Sequence, residues 1–433
     1  MQTLYRFRFL AALLALGLGG CRDKCQQTVT YRAQRQFFIS SADLRSGVKT
    51  LPAQVMEKPG KLYVRGTYLF INEQKRGIHL IDNANPSAPR EVSFLAIPGN
   101  TDIAVRGNVL YADSYIDLLA FDISDVLNAK LLKRVENAFP SGSVDGLHWN
   151  FDQFRQQIVD TRWVTVTDVR DTDCENGSNG GGWGRNQTTS SFSAMDGGSV
   201  ALSMGQKSAN PNAGTGTGGS MARFALYDKY LYAVTNSNMA LFDIGQPGNP
   251  TKTTTVTLGW GIETIFPYGK NLFIGSTTGM HIYDNSNPAL PVRLSTFQHA
   301  MRCDPVVVDG DYASVTLQAG NLCGGATSQL DVVDLKNLRA PTLVKSYPME
   351  KPYGLGVDGK TLFVCDNGLK TFNAANPLSL SQVQHFKNMN AYDVIPLNGT
   401  LLLIGKDGFY QYDYSDPKAL KLLSVIPVKR PDA

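Results

Sequence analysis

The 433-residue sequence predicts an all-β protein: a seven-bladed β-propeller of four-stranded blades, with one long loop insertion. Three observations lead to this prediction. A unit of about forty residues recurs along the chain. Each unit contains short apolar runs separated by turn residues. Finally, 42% hydrophobic residues suffice for a sizeable core, so wholesale disorder is excluded. Units of this length with four short strands are typical of propeller blades.

The N-terminus predicts export and lipidation. The apolar stretch 9–20 follows two arginines and is too short to cross a bilayer of about 30 Å, but it fits a signal-peptide core. The sequence Leu18-Gly-Gly-Cys21 resembles the lipobox of bacterial lipoproteins. We therefore expect residues 1–20 to be a signal peptide, Cys21 to be the lipidated residue, and 21–59 to form a tether. The alternative is an ordinary secretory cleavage that leaves Cys21 as a free thiol.

Localisation follows from the same segment. Arg22, rather than Asp, follows the cysteine, so retention at the inner membrane is disfavoured. We expect a protein of the cell envelope, lipid-anchored in the outer membrane and facing either the periplasm or the surface.

Export also places the cysteines in an oxidising compartment, where they can pair. Cys303 and Cys323 flank irregular segments, and we hypothesise a disulfide between them that closes an enlarged loop. A Cys25–Cys174 bond is a weaker second hypothesis. Cys365 lies in an apolar run and is expected to be buried and unpaired.

The repeat is recognised by a marker residue that ends an apolar strand and precedes a polar, often Pro-containing turn. The markers are Asp82, Asp122, Asp243, Asp284, Asp334, Asn373 and Asp413. Their intervals are 40, 121, 41, 50, 39 and 40 residues, so the two long intervals each contain an insertion as well as a unit. We interpret the marker aspartates as structural caps, because a carboxylate before such a turn accepts backbone N–H groups.

The spacing assigns residues 60–433 to the propeller. The expected blades are about 60–100, 101–140, 221–261, 262–302, 303–352, 353–390 and 391–433. The insertion, 141–220, joins the second blade to the third. Its first part contains aromatic residues and could be ordered, whereas from about residue 175 its Gly- and Ser-rich composition predicts flexibility.

The unit resembles the LVIVD repeat, which occurs in exported bacterial proteins, often lipoproteins, and is taken to form β-propellers. The resemblance covers residues 60–430 apart from the insertion. With the lipobox and the short lead, the whole arrangement is similar to LVIVD-repeat lipoproteins of the Bacteroidota type, for which the family implies no established reaction.

Topology predicts where a binding surface would lie. In an up-and-down blade, the link between the second and third strands and the link to the next blade lie on one face. Both enlargements, 141–220 and 319–328, fall there. Inner strands begin on the same face at Asp102, Glu263, Asp304 and Asp393. We hypothesise that these acids form a ligand-binding mouth of a central channel; the alternative is that each carboxylate pairs with a backbone N–H, Lys61 or Arg223.

The expected function is therefore a lipid-anchored binding or scaffolding module for an envelope protein or a glycan. The alternative is an envelope hydrolase or lyase that uses channel-mouth carboxylates as acid and base. No catalytic motif is recognised, so no catalytic residue is assigned. The histidines lack metal-ligand spacing, and neither a metal nor another cofactor is predicted. A net charge of +4 without a basic cluster disfavours a nucleic-acid partner.

Overall fold

The computed structural model describes residues 24–144, 147–173, 217–218, 222–298, 305–318 and 327–429. Within these residues the protein is all-β, with many four-stranded antiparallel sheets, as the sequence predicts. Helical structure in this part of the chain consists of one short α-helix and one 3₁₀ turn.

Seven of the sheets are up-and-down meanders of four consecutive strands, here numbered sheets 1 to 7. Sheet 1 contains β3 (Pro59–Arg65), β4 (Tyr68–Glu73), β5 (Gly77–Asp82) and β6 (Arg90–Ala96), and sheet 2 contains β7 (Ile103–Arg106), β8 (Val109–Ser114), β9 (Asp117–Asp122) and β10 (Lys130–Val135). Sheet 3 contains β15 (Phe224–Tyr227), β16 (Tyr230–Val234), β17 (Asn238–Asp243) and β18 (Thr251–Thr257). Sheet 4 contains β19 (Ile262–Tyr268), β20 (Asn271–Ser276), β21 (Gly279–Asp284) and β22 (Val292–Gln298).

The last three sheets follow the same order. Sheet 5 contains β23 (Val306–Asp309), β24 (Tyr312–Leu317), β25 (Gln329–Asp334) and β26 (Thr342–Pro348). Sheet 6 contains β27 (Pro352–Asp358), β28 (Thr361–Asp366), β29 (Leu369–Asn373), the 3₁₀ turn (Pro377–Ser379) and β30 (Ser381–Phe386). Sheet 7 contains β31 (Ala391–Leu397), β32 (Thr400–Gly405), β33 (Gly408–Asp413) and β34 (Lys421–Pro427).

Burial explains the composition of these strands. The second and third strands of each sheet are largely buried apolar runs, whereas fourth strands such as β10 and β18 are mostly exposed and polar. The tight hairpins between first and second strands place Gly107 and Gly359 at φ +57° and +55°, which a glycine adopts without strain. Apolar inner strands and a solvated outer strand are what a stack of sheets packed face to face requires.

Neighbouring sheets share hydrophobic clusters. One cluster draws on sheets 1, 2 and 3, and others join sheet 3 to 4, sheet 4 to 5, and sheets 5, 6 and 7. A fifth cluster packs Met56, Leu69 and Ile71 against Ile395 and Phe409, so the first and last sheets are also in contact.

A recurring hydrogen bond accompanies this packing. In every sheet a side chain donates to the carbonyl four residues after the marker of the next sheet, at 2.6 to 2.9 Å. The pairs are Ser93 with Val126, Tyr111 with Pro247, Tyr232 with Pro288, Ser295 with Leu338, Tyr347 with Pro377, Thr371 with Pro417, and Ser424 with Pro86. The marker turn therefore also carries the acceptor that joins adjacent sheets, the last pair joining sheet 7 to sheet 1.

The segment before sheet 1, here called the lead (residues 24–58), and the insertion contain the remaining elements. These are β1 (Lys24–Ser40), α1 (Ser41–Ser46), β2 (Lys49–Leu51), β11 (Ser141–Val144), β12 (Leu147–Asp152), β13 (Gln157–Asp173) and β14 (Thr217–Gly218). Strands β1, β13, β12 and β11 form an eighth sheet, while β2 and β14 extend sheet 1 at its edges.

The chain divides into two compact units. One comprises residues 1–37 and 161–197, and its described part is a two-stranded ribbon made of β1 up to Phe37 and β13 from Thr161. Arg32 lies 5.5 Å above the ring of Trp163 in this ribbon. The other unit, residues 38–160 and 198–433, contains the seven meanders.

The lead differs from the tether expected at 21–59. Ser40 caps α1 by accepting the N–H of Asp43, and Leu44 is fully buried in the cluster of sheets 1 to 3. The hydroxyl of Thr50 donates to the carbonyl of Ala129, which fixes β2. Burial of a few separated residues against distant strands is not visible as a local pattern in the sequence.

Candidate functional site

All seven marker side chains are bonded in the same way. Each accepts the backbone N–H two residues ahead, at 2.7 to 3.1 Å. The pairs are Asp82 with Ala84, Asp122 with Ser124, Asp243 with Gly245, Asp284 with Ser286, Asp334 with Lys336, Asn373 with Ala375 and Asp413 with Ser415. Backbone hydrogen bonds lower the pKa of Asp122 and Asp413. An amide at position 373 makes the same bond, so the position requires an acceptor rather than a charge.

Asp102 is a buried acceptor between three sheets. Its Oδ2 accepts the backbone N–H groups of Arg223 and Phe224 in sheet 3 and lies 3.4 Å from Nζ of Lys61 in sheet 1. Its Oδ1 accepts the N–H of Ile103 at 2.7 Å. The carboxylate is thus saturated with protein donors, and this geometry suits a structural pin better than a ligand contact.

Asp393 is buried differently. Its Oδ1 accepts the N–H of Val394 at 3.0 Å, and its Oδ2 has no hydrogen-bond partner among the described residues. Burial raises the pKa of this carboxyl well above its usual range, although the nearby Lys61 charge opposes the shift. Burial also lowers the pKa of Lys61, against the charge of Asp102. Lys61 therefore connects Asp102 and Asp393 electrostatically across sheets 1, 2 and 7.

The other predicted site residues are less informative. Glu263 is half-buried near the start of β19. Four predicted site residues lie outside the described residues: Asp304, Cys21, Cys303 and Cys323. The part of the insertion that was expected to be flexible, from about residue 175 to 216, also lies outside them. Cys365 is a buried free thiol, and burial raises its pKa. Among the described residues, no group of three or more His, Cys, Asp or Glu side chains is placed to hold a metal ion.

A cleft that the sequence did not reveal lies where sheets 2 and 3 meet the insertion. The space inside it that a water molecule can reach is about 20 Å³, room for a single water-sized group. Polar side chains in its lining include Thr101, Asp113, Arg223 and Thr235, and the insertion contributes Trp149. The Arg223 guanidinium donates to the carbonyl of Ser143 in the insertion at 2.6 Å. One carboxylate and one guanidinium therefore line a small space together with several apolar side chains.

Asp113 is held tightly in that cleft. Its Oδ1 accepts the N–H groups of Thr101 and Asp102 at 2.7 and 2.9 Å and the side-chain amide of Asn100 at 2.8 Å, while the Thr101 hydroxyl donates to Oδ2. Burial raises the pKa of Asp113 to about 6, although these hydrogen bonds oppose the shift. Asp113 is the next-to-last residue of β8, and no local sequence motif marks it as a site residue.

The insertion is part of the core at this point. Trp149 is 4% exposed and packs edge-on against Tyr115 at 5.3 Å. The Tyr115 hydroxyl donates to the buried Asp160, which also pairs with Lys75 at 2.7 Å. A Cβ at Gly99, where φ is +78°, would lie 2.0 Å from the Tyr115 ring, so this packing requires glycine there. The segment predicted as a loop thus begins as an integral sheet.

Two histidines at equivalent positions in sheets 1 and 4 have opposite surroundings. His79 is fully buried, with Nε2 at 3.0 Å from Glu73 and Nδ1 at 2.7 Å from Glu91. Burial alone would lower the pKa of His79, but the hydrogen bonds and charges of the two glutamates outweigh it and raise the pKa. His281 lies beside Arg293 at 2.7 Å, and burial together with that charge lowers its pKa to about 4.

We expect His79 to be charged and His281 neutral at pH 6. Because the folded pKa of His79 exceeds its unfolded value of about 6.5, its stabilising effect is complete below that value and is lost as pH rises through the folded pKa. Nuclear magnetic resonance of histidine-labelled protein reports both protonation states, with His281 as the internal control. Urea unfolding of wild type and His79→Gln at acidic and alkaline pH should show a larger difference at acidic pH. A neutral His79 imidazole at pH 6 would contradict the assignment.

Comparison with known proteins bears on the fold. The LVIVD repeat family model matches residues 59–95, which contain β3 to β6 of sheet 1. No curated protein matches the chain. Because one unit matches, and the other units share its marker turn, the chain is a repeat protein.

Several solved structures are similar. A functionally unknown protein from Desulfotomaculum acetoxidans DSM 771 has 12% identity and a TM-score of 0.51 over 85% of this chain and 100% of that one. The computationally designed Ika8 protein has 7% identity and a TM-score of 0.48, covering 87% and 90%, and Kluyveromyces lactis Hsv2 has 12% and 0.45, covering 83% and 94%. At such identities the likeness concerns the fold alone. The chain has a propeller-like, all-β repeat fold.

Proposed function

We propose that the protein is a lipid-anchored binding or scaffolding module of the cell envelope, built as a closed seven-bladed propeller. The observation that carries the binding function is the cleft of Asp113 and Arg223, to which the insertion adds Trp149. It opens beside the links between strands two and three and between consecutive sheets, here called the insertion-side loops. Among the channel-mouth carboxylates, Asp102 is instead engaged by protein donors.

Closure is supported by contacts between sheets 7 and 1. Gln411 of β33 is fully buried and exchanges two hydrogen bonds with the side chain of Asn83, at 2.9 and 2.7 Å. It also donates to the carbonyl of Pro86 at 3.1 Å. With the hydrophobic cluster shared by the two sheets, these bonds supply the interface that a closed ring of seven blades requires.

Lipid anchoring rests on the lipobox ending at Cys21. Among the described helices, none is both long and apolar enough to span a membrane. We expect wild type to incorporate labelled palmitate and to fractionate with outer membranes. A Cys21→Ser variant should lose the label and appear in the soluble envelope fraction. Unlabelled wild type, or a variant that stays with the membrane, would contradict lipidation.

The binding role is tested by cross-linked capture from native envelopes. The intact chain is compared with a variant in which residues 177–214 are replaced by a short Gly-Ser linker, which retains the insertion strands β11 to β13 whose Trp149 and Ile158 are buried in the core. Capture by intact protein that this variant loses supports binding through the insertion. Equal capture by both would show that residues 177–214 are not needed and would leave the cleft as the binding surface, and no capture by either would contradict the module.

One observation favours the alternative, a hydrolase or lyase. A buried carboxyl with a raised pKa, such as Asp393 beside Lys61, has the properties of a general acid. Purified protein would then cleave chromogenic ester or glycoside substrates, and Asp393→Asn would abolish the turnover without loss of fold. Absence of turnover with wild type removes this alternative.

A further inference from the structure

Trp260 stands out on the surface of sheets 3 and 4. It lies in the insertion-side loop between β18 and β19, and 68% of its surface is exposed. The other tryptophans in the described residues are less exposed, Trp163 at 44% and Trp149 at 4%. An indole left in water costs hydrophobic free energy, so a rigidly presented one indicates a contact surface.

The loop holds the indole firmly. Its flanking residues Gly259 and Gly261 have φ of +112° and +81°, which side-chain-bearing residues rarely adopt. The next residues outward, Leu258 and Ile262, are 3% and 0% exposed and anchor both ends of the loop in the core. Trp260 is therefore the exposed residue of a loop whose two ends are buried.

Backbone hydrogen bonds fix the loop to its neighbours. The N–H groups of Leu258 and Ile262 donate to the carbonyls of Ser237 and Asn236, at 2.9 and 3.0 Å, in the loop between β16 and β17. On the other side, the N–H of Thr277 donates to the carbonyl of Gly261 at 2.8 Å. The indole is thus presented by three insertion-side loops that are bonded together.

The loops bonded to the Trp260 loop carry polar residues. Asn236 and Ser237 are half-buried, and Thr278 is exposed. Thr277 lies against Gly261, and its buried Oγ1 has no hydrogen-bond partner among the described residues. Protein hot spots usually sit within a larger desolvated apolar patch, which these neighbours do not supply. Hydroxyl and amide groups around a single aromatic ring suit a ligand with both an apolar face and hydroxyls.

The cleft of Asp113 and Arg223 also borders the β16–β17 loop. Thr235 lines the cleft, and Ser237, two residues later, holds the Trp260 loop. The two positions are at most about 7 Å apart along the chain, so the cleft and the Trp260 loop border the same short loop. One carboxyl, of Asp113, and one guanidinium, of Arg223, line the cleft, so neither sign of charge dominates, which favours a ligand without net charge.

We propose that Trp260 and this cleft form a binding site for a neutral oligosaccharide. One sugar ring stacks its C–H face on the indole, and a hydroxyl of an adjoining sugar enters the cleft, which has room for one water-sized group. The inference rests on the proposed binding function and names its ligand class as a glycan.

The test uses the full mature chain and three neutral tetrasaccharides: those of β-1,4-linked N-acetylglucosamine, β-1,4-linked glucose and α-1,4-linked glucose. Calorimetry is performed on wild type, Trp260→Ala and the matched control Trp163→Ala. We expect at least one sugar to bind wild type and the control equally, with affinity reduced by about tenfold or more in Trp260→Ala.

Two results would overturn the glycan site: no binding of any tetrasaccharide at millimolar concentration, or equal binding by Trp260→Ala. Capture of an envelope protein by wild type, lost in Trp260→Ala, with no sugar bound, would overturn the glycan assignment while leaving the binding module intact. If wild type captures no envelope protein and binds no sugar, both the glycan site and the proposed binding module are contradicted.

Discussion

Replacing Gln411 with alanine is expected to destabilise the protein by about 3 kcal/mol. Gln411 is fully buried, and its truncation leaves the Asn83 amide without its two partners and opens a cavity. The loss falls on the interface between the first and last sheets, so amide exchange should rise in β33 and β5 before other strands. Urea denaturation and hydrogen exchange measure the two effects.

Thr371→Val is the matched control. Thr371 occupies the equivalent position in sheet 6, and its hydroxyl donates to the carbonyl of Pro417 at 2.9 Å. Valine keeps the shape and removes one hydrogen bond, so a smaller loss of about 1 kcal/mol is expected, confined to sheets 6 and 7. If Gln411→Ala lowers the free energy of unfolding no more than Thr371→Val and leaves amide exchange in β33 unchanged, sheets 7 and 1 do not close the ring.

Replacing Asp102 with alanine should lower the free energy of unfolding by about 3 to 5 kcal/mol, because it removes the carboxylate that pairs with the buried Lys61 ammonium. It also removes the acceptor for the N–H groups of Arg223 and Phe224, which link sheet 2 to sheet 3. Thermal and urea unfolding of the purified variant measure the loss.

Two further variants keep this prediction informative. Asp102→Asn retains a carbonyl oxygen and should fold with an intermediate loss, even if Asp102→Ala does not accumulate. Asp122→Ala removes an exposed turn cap and should have a much smaller effect. A near-neutral Asp102→Ala that instead weakens ligand binding would assign Asp102 to the mouth of a channel rather than to the framework.

The repeat could be read from the sequence because it is local. The marker turn is a contiguous pattern, and the segment from Gly77 to Asp82 coincides with β5. The apolar strands and their Gly turns are equally local. The side chains that donate to the carbonyls four residues after the markers are not local: Tyr111 and Tyr232 lie more than fifty residues from their acceptors, and no sequence pattern reveals them.

The candidate site was partly missed for the same reason. The acids that begin inner strands were identified by their position in the repeat. The carboxylate of Asp102, however, already accepts hydrogen bonds from donors in two other sheets. Asp113 and Arg223 meet across 110 residues in one cleft, and neither belongs to a recognisable motif. Trp260 could have been noticed from its two flanking glycines, which signal a tight turn exposing the residue between them.

The central claim, binding through the insertion-side loops, is tested most directly by photo-cross-linking in native envelopes. A photoreactive residue is placed at position 237 or 278, in those loops, or at position 343 on the exposed outer strand β26. The account predicts a specific adduct, with a protein or a glycan, from the two loop positions and none from position 343. An adduct that forms only from position 343, or equally from all three, would contradict it.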